Sequence, residues 1–506
     1  MKYNFFLPSA DQSSVFGILI DEALKLKKEG SDVSLYYCDN VVNICKSNPL
    51  GQKSKCVRCR LKHKHLLKKH FKNENCFSLN EITSESQVLF QKKDYKYSSI
   101  SEIKQIEFDN TNIGLGSYST YVSLTRNCDP LINNEFKRYF DMLLNESSKM
   151  VLIFNQIIQK KTDSTVCLFN GRFIESRPIV EVCANNNIEF RCYEAGITMD
   201  GKTKKLFFKN SLPHDMLAFT AKANYYWERN EKIQKKIKIS DEFFERKLNN
   251  LPVGDKVFTK NQDRNLLPSN WDKKHQNIVI FTSSEDEFVG IGGEWDEHSL
   301  FTSQVKGIIA IAEMLKEERN THLYIRIHPN LKDIKYKYHT DILNLESQFK
   351  NITIIKGDSL ISSYTLLENS NKVVVFNSTM GVEANKIGKP VILLTAAIYY
   401  YLDIAYKPQT VDDLFNMLIN PLEPKPTLGA SKYAYYNLFV EENYFNYINF
   451  SDIIQKNIFN KSLHFPHFAN FFGSNILFSI YFTVVSRIKT LFSDTKIIEK
   501  LPVIEK

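Results

Sequence analysis

What most constrains this chain is an alternation. After residue 276, short apolar runs rich in β-branched residues take turns with stretches of helical spacing. "NIVIFTSS" reads as a strand and "HSLFTSQVKGIIAIAEMLKEE" as an amphipathic helix. "HLYIRI", "NITII", "KVVVF" and "PVILL" follow as strands, separated by the helical "YHTDILNLESQF", "YTLLENS" and "GVEANKIG". Strands that are each followed by a helix lie parallel, with the helices returning over the sheet faces. The pattern therefore predicts a doubly wound α/β domain of about 150 residues.

The start of the chain reads the same way. "YNFFLP" is a strand, "SSVFGILIDEALKLKKEG" a helix that stops at Gly30, and "DVSLYYC" a second strand. "STVCLFNGRFIESRPIVEVCANNNIEFRCYEAG" adds a strand, loop, helix and strand. A chain of 506 residues exceeds one ordinary core, so two domains are expected. "NNLPVGDKVFTKNQDRNLLPSNWDKKHQ" has two proline-containing breaks and no apolar period. The expected organisation is a first domain over 1–250, a linker over 251–276, a second domain over 277–420 and a tail over 421–506. The tail's "FFGSNILFSIYFTVVSRIKTLF" is too interrupted to span a bilayer. With Arg487 and Lys489 at its end, it suits a helix on the inner membrane surface, or a tail packed across the first domain.

Charge narrows the partners. Lys and Arg number 66 against 57 Asp and Glu, a formal +9, with no long basic block. This fits anionic substrates or an anionic membrane face and excludes a nucleic-acid footprint. "MKYNFFLPSADQ" lacks a signal peptide's apolar segment, and no run reaches about 18 uninterrupted apolar residues. The expected location is the cytoplasm, with the inner face of the cell membrane as its periphery. Nine cysteines there would be mostly reduced. Four of them, Cys38, Cys45, Cys56 and Cys59, are spaced C-x6-C-x10-C-x2-C, and the last pair has the spacing of a zinc-knuckle half-site. The expectation is a structural metal, zinc ahead of an iron–sulfur cluster, or else plain buried thiols.

In open parallel sheets, ligands bind outside the carboxyl ends of the strands. "LYIRIHPN" brings His328 to such an end, followed by Pro329 and Asn330. "VVVFNSTMGVEA" brings Asn377, Ser378 and Thr379 to another, and "VIFTSSEDEF" brings Ser283 and Ser284 to a third. An imidazole, hydroxyls and a helix start suit a phosphate group. Gly381 is expected to clear space for the anion's approach. Glu285 to Glu287 read as a solvated loop or an acidic patch, and "VGIGGEW" as a flexible loop over a cleft. In the first domain, "LFNGRF" places Asn170 and Arg172 at a strand end, and Arg177 opens the next helix. Glu194 ends the following strand. It is a candidate general base for an acceptor hydroxyl, or a structural carboxylate paired with Arg172 or Arg177. No Asp-x-Asp occurs, so no catalytic metal is expected.

"RIHPN" and "GDSLISSYTLLENSNKVVVFNSTMGVEANKIGKPVILL" closely resemble the C-terminal half of bacterial capsule and surface-polysaccharide biosynthesis glycosyltransferases. The chain is similar to the capsule Kdo transferases and, more distantly, to bacterial sialyltransferases. "FTSSEDEFVGIGGEW" and "FNGRFIESRPIVEVC" extend the resemblance over roughly residues 160–400. It implies an α/β GT-B fold, two Rossmann-like domains facing a central cleft, with a C-terminal aromatic and helical tail. It implies that His328 and Pro329, with Ser378 and Thr379, hold the donor's phosphate, and that Glu383 reaches a ribose or sugar hydroxyl. The implied activity is metal-independent transfer of a sugar, such as CMP-linked Kdo, to a surface polysaccharide or glycolipid. A CDP-glycerol-type polyol-phosphate transferase and a non-catalytic scaffold of polysaccharide assembly stay open beside it. Its partners would be a nucleotide-sugar donor, a glycan or glycolipid acceptor and the inner-membrane surface.

Overall fold

The structure is a computed structural model. It describes residues 1–439, apart from 11–12, 86–89, 161–162, 198–202, 230, 252 and 254–256. The tail stretch "FFGSNILFSIYFTVVSRIKTLF" lies outside the described residues. Contacts divide the chain into two units. The first includes Met1–Ala195 and Lys204–Pro213, the second Gly196–Thr203 and His214–Glu441.

The first unit is built on β1 (Lys2–Leu7), β2 (Asp32–Tyr37) and β3 (Cys76–Ser78). After a short hairpin, β4 (Glu107–Phe108) and β5 (Thr111–Asn112), come β6 (Thr165–Phe169), β7 (Phe190–Ile197) and β8 (Thr203–Lys209). The sheet order is β3-β2-β1-β6-β7-β8. β1 pairs in parallel with β2 on one side and β6 on the other. Five of the six residues in both β1 and β2 are buried, as in a strand covered on both faces. The helix Ser13–Lys28 supplies one cover, setting Phe16, Leu19 and Ile20 against Phe5 and Leu35. Strand order reverses between β1 and β6, so the carboxyl edge at that point is a topological switch point.

The second unit contains β9 (Gln276–Phe281), β10 (Thr321–Arg326), β11 (Ile352–Ile355), β12 (Lys372–Val375) and β13 (Val391–Leu393). Their order is β11-β10-β9-β12-β13, every pairing parallel. β9 is central, and the order reverses between it and β12. The helix Gln304–Leu315 buries Ile308, Ile311 and Leu315 against Ile278, Ile280 and Val374.

The structural boundary differs from the sequence boundary at residue 250. The helices Met216–Glu228 and Ile233–Leu248 group with the second unit because they pack on the helix Leu428–Phe439. Aromatic contacts hold them there: Phe219 to Tyr433 at 5.6 Å, Trp227 to Tyr435 at 5.6 Å and Phe243 to Tyr433 at 6.1 Å between ring centroids. Part of the expected linker is also docked on this unit. Trp271 stacks on Tyr324 at 4.3 Å, and Asp263 bridges to Ile361. Among the described residues, no helix is long and apolar enough to cross a membrane.

Candidate functional site

Strand register places the second unit's polar residues. Phe281 of β9 pairs with Arg326 of β10 on one side and Val375 of β12 on the other. Ser283, His328 and Asn377 therefore leave three adjacent strands at the same level, each two positions past its paired residue. The three strand ends singled out in the sequence lie side by side at one edge of the sheet. His328, Asn377, Ser378 and Thr379 are half-buried, while Ser283 is buried.

His328 is held by both its backbone and its ring. Its N–H donates to Thr282 Oγ1 at 2.8 Å, which ties β10's end to β9's. The Asn330 N–H donates to His328 Nδ1 at 3.1 Å, capping the short turn Pro329–Leu331. Since Nδ1 accepts, the proton of the neutral ring resides on Nε2. Pro329 starts this turn, and Asn330 serves through its backbone. The ring of Phe258 lies edge-on at 5.1 Å.

Beyond β12 the backbone is strained. Asn377 has φ 123°, a region costly for a side-chain-bearing residue, and such strain gathers at binding sites. The hydroxyl oxygen of Ser378 accepts from the Met380 N–H at 3.3 Å, and Tyr399 donates to the Ser378 carbonyl at 2.7 Å. The Lys247 ammonium donates to Thr379 Oγ1 at 3.4 Å and to Glu383 Oε1 at 3.0 Å. Sequence reasoning missed Lys247. "FFERKLNN" looks like any helix end with a solvated lysine, and only the fold brings it to Thr379.

Four expectations change here. Both Glu383 oxygens already accept from protein groups, Oε1 from Lys247 and Oε2 from the Tyr364 hydroxyl at 2.7 Å, so this buried carboxylate positions its neighbours. Gly381 makes room for protein. A Cβ there would sit 2.7 Å from the Tyr399 hydroxyl and 3.1 Å from Val375 Cγ2. The acidic run is solvated only at Glu287. Glu285 and Asp286 are buried, Glu285 accepting from the Gln304 N–H at 2.8 Å and Asp286 from the Ser284 hydroxyl at 2.5 Å. Ser284 is thereby engaged, whereas the buried Ser283 Oγ has no hydrogen-bond partner among the described residues. "VGIGGEW" is likewise packed, with Ile291 and Trp295 in an apolar cluster with Met216 and Phe288.

In the first unit, β6 and β7 run side by side and bring Asn170 to Glu194. The Asn170 amide donates to Glu194 Oε2 at 2.7 Å, and the Ala195 N–H donates to Oε1 at 3.0 Å. Burial raises the Glu194 carboxyl above its ordinary value, with those two hydrogen bonds working against the rise. Arg177 pairs with Glu181 on its own helix, Arg177–Asn185. Arg172 is buried beside the Phe173 ring, 5.0 Å from its centroid.

The four cysteines singled out above converge on one cavity of about 80 Å³ at the carboxyl ends of β1, β2 and β6. Burial pushes the Cys38 thiol up to about 12 and the Cys45 thiol well above its usual value. Cys59 differs. Burial works to raise it, but His63, the Ser9 hydroxyl and the Ala10 N–H together hold it below its ordinary value.

Two Rossmann-like parallel α/β units, the building blocks of the GT-B class of fold, make up the described chain, one with phosphate-suited groups along its carboxyl edge. Within that class, residues 257–436 match the family described as "Capsule polysaccharide biosynthesis protein". That match covers about a third of the chain and agrees with the resemblance of its motifs. A search of curated proteins returns no match. Among solved structures, it is similar to the Thermosulfurimonas dismutans KpsC β-Kdo 2,4 transferase, with 11% identity over 54% of this chain and 78% of that one, at a TM-score of 0.35. The KpsC β-Kdo 2,7 transferase of the same organism gives 13% identity over 56% and 80%, at 0.33. The Neisseria meningitidis UDP-GlcNAc 2-epimerase gives 11% identity over 86% and 98%, at 0.25. Likenesses this distant assign no residue a role.

Proposed function

We propose that this protein is a glycosyltransferase of surface-polysaccharide synthesis, and that its second unit holds the phosphate of a nucleotide-sugar donor. The observation that carries the reading is the common level of Ser283, His328 and Asn377 on three adjacent parallel strands. An acceptor hydroxyl attacks the donor's anomeric carbon, the bond from that carbon to the phosphate oxygen breaks, and negative charge collects on the leaving nucleotide. The His328 Nε2–H and the hydroxyls of Ser378 and Thr379 donate to that charge, and the Lys247 cation beside Thr379 adds to it. In this reading protein donors do the stabilising, without a catalytic metal. Glu194 takes the acceptor's proton, a role supported by its raised carboxyl pKa. The donor is a CMP-linked acid sugar such as Kdo. The acceptor is a growing surface glycan or glycolipid presented at the inner face of the cell membrane.

A thermal-shift series with CMP, CDP, UDP and GDP tests this, because a ligand that binds only the native state raises its melting point. Selective stabilisation by CMP is expected, followed by sugar transfer from the matching donor. A polyol-phosphate transferase would instead add phosphorus to its acceptor. No shift with any of the four nucleotides would overturn the reading.

A further inference from the structure

The cysteine-lined cavity has no part in the chemistry above. Its walls come from distant stretches of the chain. Cys38 directly follows β2, Cys45 lies in the following loop, and Cys56 and Cys59 occupy the start of the helix Lys53–Phe71. Leu7 and Phe169, at the ends of β1 and β6, close it from the sheet side. This is the switch point of the first sheet, where an open parallel fold leaves a crevice.

Two of the sulfurs already accept from protein N–H donors. The Ala10 N–H donates to Cys59 Sγ at 3.3 Å, and the Asn48 amide donates to Cys56 Sγ at 3.2 Å. Lys55 and Arg60, from the same helix as Cys56 and Cys59, also line the cavity, as do Glu175 and Asp39, the latter paired with Arg60 at 3.6 Å. N–H donors and cations around a cysteine set are what stabilise bound, deprotonated sulfur.

The space discriminates between kinds of metal. A single zinc, with Zn–S of about 2.3 Å, would draw its tetrahedral sulfurs to about 3.8 Å from one another. Among the described residues, no three His, Cys, Asp or Glu side chains are grouped to hold one metal ion. The four cysteines instead line a cavity of about 80 Å³, several times the roughly 10–15 Å³ that one water needs. An iron–sulfur cluster is held by four cysteines, each on its own corner or edge, so its ligands stand farther apart than those of one ion.

We infer that Cys38, Cys45, Cys56 and Cys59 hold an iron–sulfur cluster in the cavity at the carboxyl edge of the first sheet. The cluster fastens the loop after β2 and the helix Lys53–Phe71 to the strand ends. Its binding energy is therefore folding energy for this unit. The proposal is independent of the donor site, which lies in the second unit.

The test is elemental. Full-length protein is purified without chelators and without oxygen, and a portion is reconstituted with ferrous iron and sulfide. Iron and acid-labile sulfide should appear in equal amounts, about two or about four of each per chain, with a visible absorption that bleaches on reduction. Replacing Cys56 and Cys59 together with serine should remove most of that iron. Cys183→Ala, a buried thiol outside the cavity, should retain it. Stoichiometric zinc without sulfide, or no metal in freshly purified and reconstituted wild-type protein, overturns the proposal. So does an unchanged iron and sulfide content in the double variant. The wild-type stoichiometry decides the matter even where a variant fails to fold, and the nucleotide thermal shift reports separately on the second unit.

Discussion

Lys247 and Glu383 form a buried ion pair 3.0 Å apart, and the same ammonium reaches the Thr379 hydroxyl at 3.4 Å. One cation thus serves a buried carboxylate and a strand-end hydroxyl at the candidate phosphate site. Tyr364 completes the carboxylate's shell from the other side, and its own hydroxyl pKa is raised by burial and by that carboxylate.

This arrangement separates structural from functional work. Lys247→Met strands a buried charge and should destabilise the protein by about 3–5 kcal/mol. Adding Glu383→Gln removes the stranded charge and should restore most of the melting temperature. Nucleotide-induced stabilisation should stay reduced in the double variant, because the cation beside Thr379 is still missing. If the double variant regains both, Lys247 serves the fold alone.

His328 calls for two substitutions. His328→Ala removes the Nε2 donor and also the acceptor for the Asn330 N–H, a cap worth about 0.5–2 kcal/mol. His328→Asn keeps a side-chain acceptor for that N–H and should melt close to the wild type. Both should lose turnover by about 10²–10³, the usual cost of one oriented donor to a developing anion. Ser378→Ala should act in the same direction, and combined with His328→Asn it should be less than additive, since both groups serve one phosphate. Near-normal transfer by the asparagine variant would take the imidazole out of the mechanism.

Ser283 gives a prediction of opposite sign for the free and bound protein. Its buried hydroxyl has no hydrogen-bond partner among the described residues, so Ser283→Ala should leave the melting temperature of the free protein unchanged or higher. A hydrogen bond to a charged group is worth about 1.5–3 kcal/mol, so nucleotide affinity should fall by about ten- to a hundredfold. Titration calorimetry reads both constants. An unchanged affinity would show that the hydroxyl never meets the ligand.

Much of this was legible in the chain because it depends on local pattern. "NIVIF", "LYIRI" and "KVVVF" are short runs rich in β-branched and aromatic residues, as a strand buried on both faces requires. Their ends announce His328, Ser283 and Asn377 as a set. What stayed hidden depends on partners far away in sequence. Lys247 meets Thr379 across 132 positions, and nothing beside "ERKL" marks it. Glu383 occupies the exposed-looking first turn of a helix, yet is buried by residues from two other helices. The boundary at 250 was misplaced for the same reason: what holds residues 216–248 is an aromatic surface near residue 433. The cysteines fall between these cases. Their spacing was visible, but the cavity they share exists only once β1, β2 and β6 are side by side.

Glu194 ties the proposed chemistry to pH. Burial lifts its carboxyl above the ordinary 4.5, and the Ala195 and Asn170 hydrogen bonds oppose the lift without cancelling it. A general base must be ionised, so the acid limb of kcat/KM should have its midpoint above 4.5. Stability should carry the matching sign. The folded chain holds this proton more tightly than the unfolded chain does. The resulting stabilisation is complete below the unfolded value and is lost as pH rises through the raised folded value. Glu194→Gln resembles the protonated state at every pH. Its melting temperature should therefore gain on the wild type as pH climbs through that window. Transfer by the variant should fall by about 10²–10⁴, and the acid limb should disappear from whatever activity remains. Nucleotide-induced stabilisation should be unaffected, since the donor phosphate is assigned to the other unit. A glutamine variant that transfers sugar at the wild-type rate would make Glu194 a structural carboxylate held by Asn170, and the base would have to be sought elsewhere.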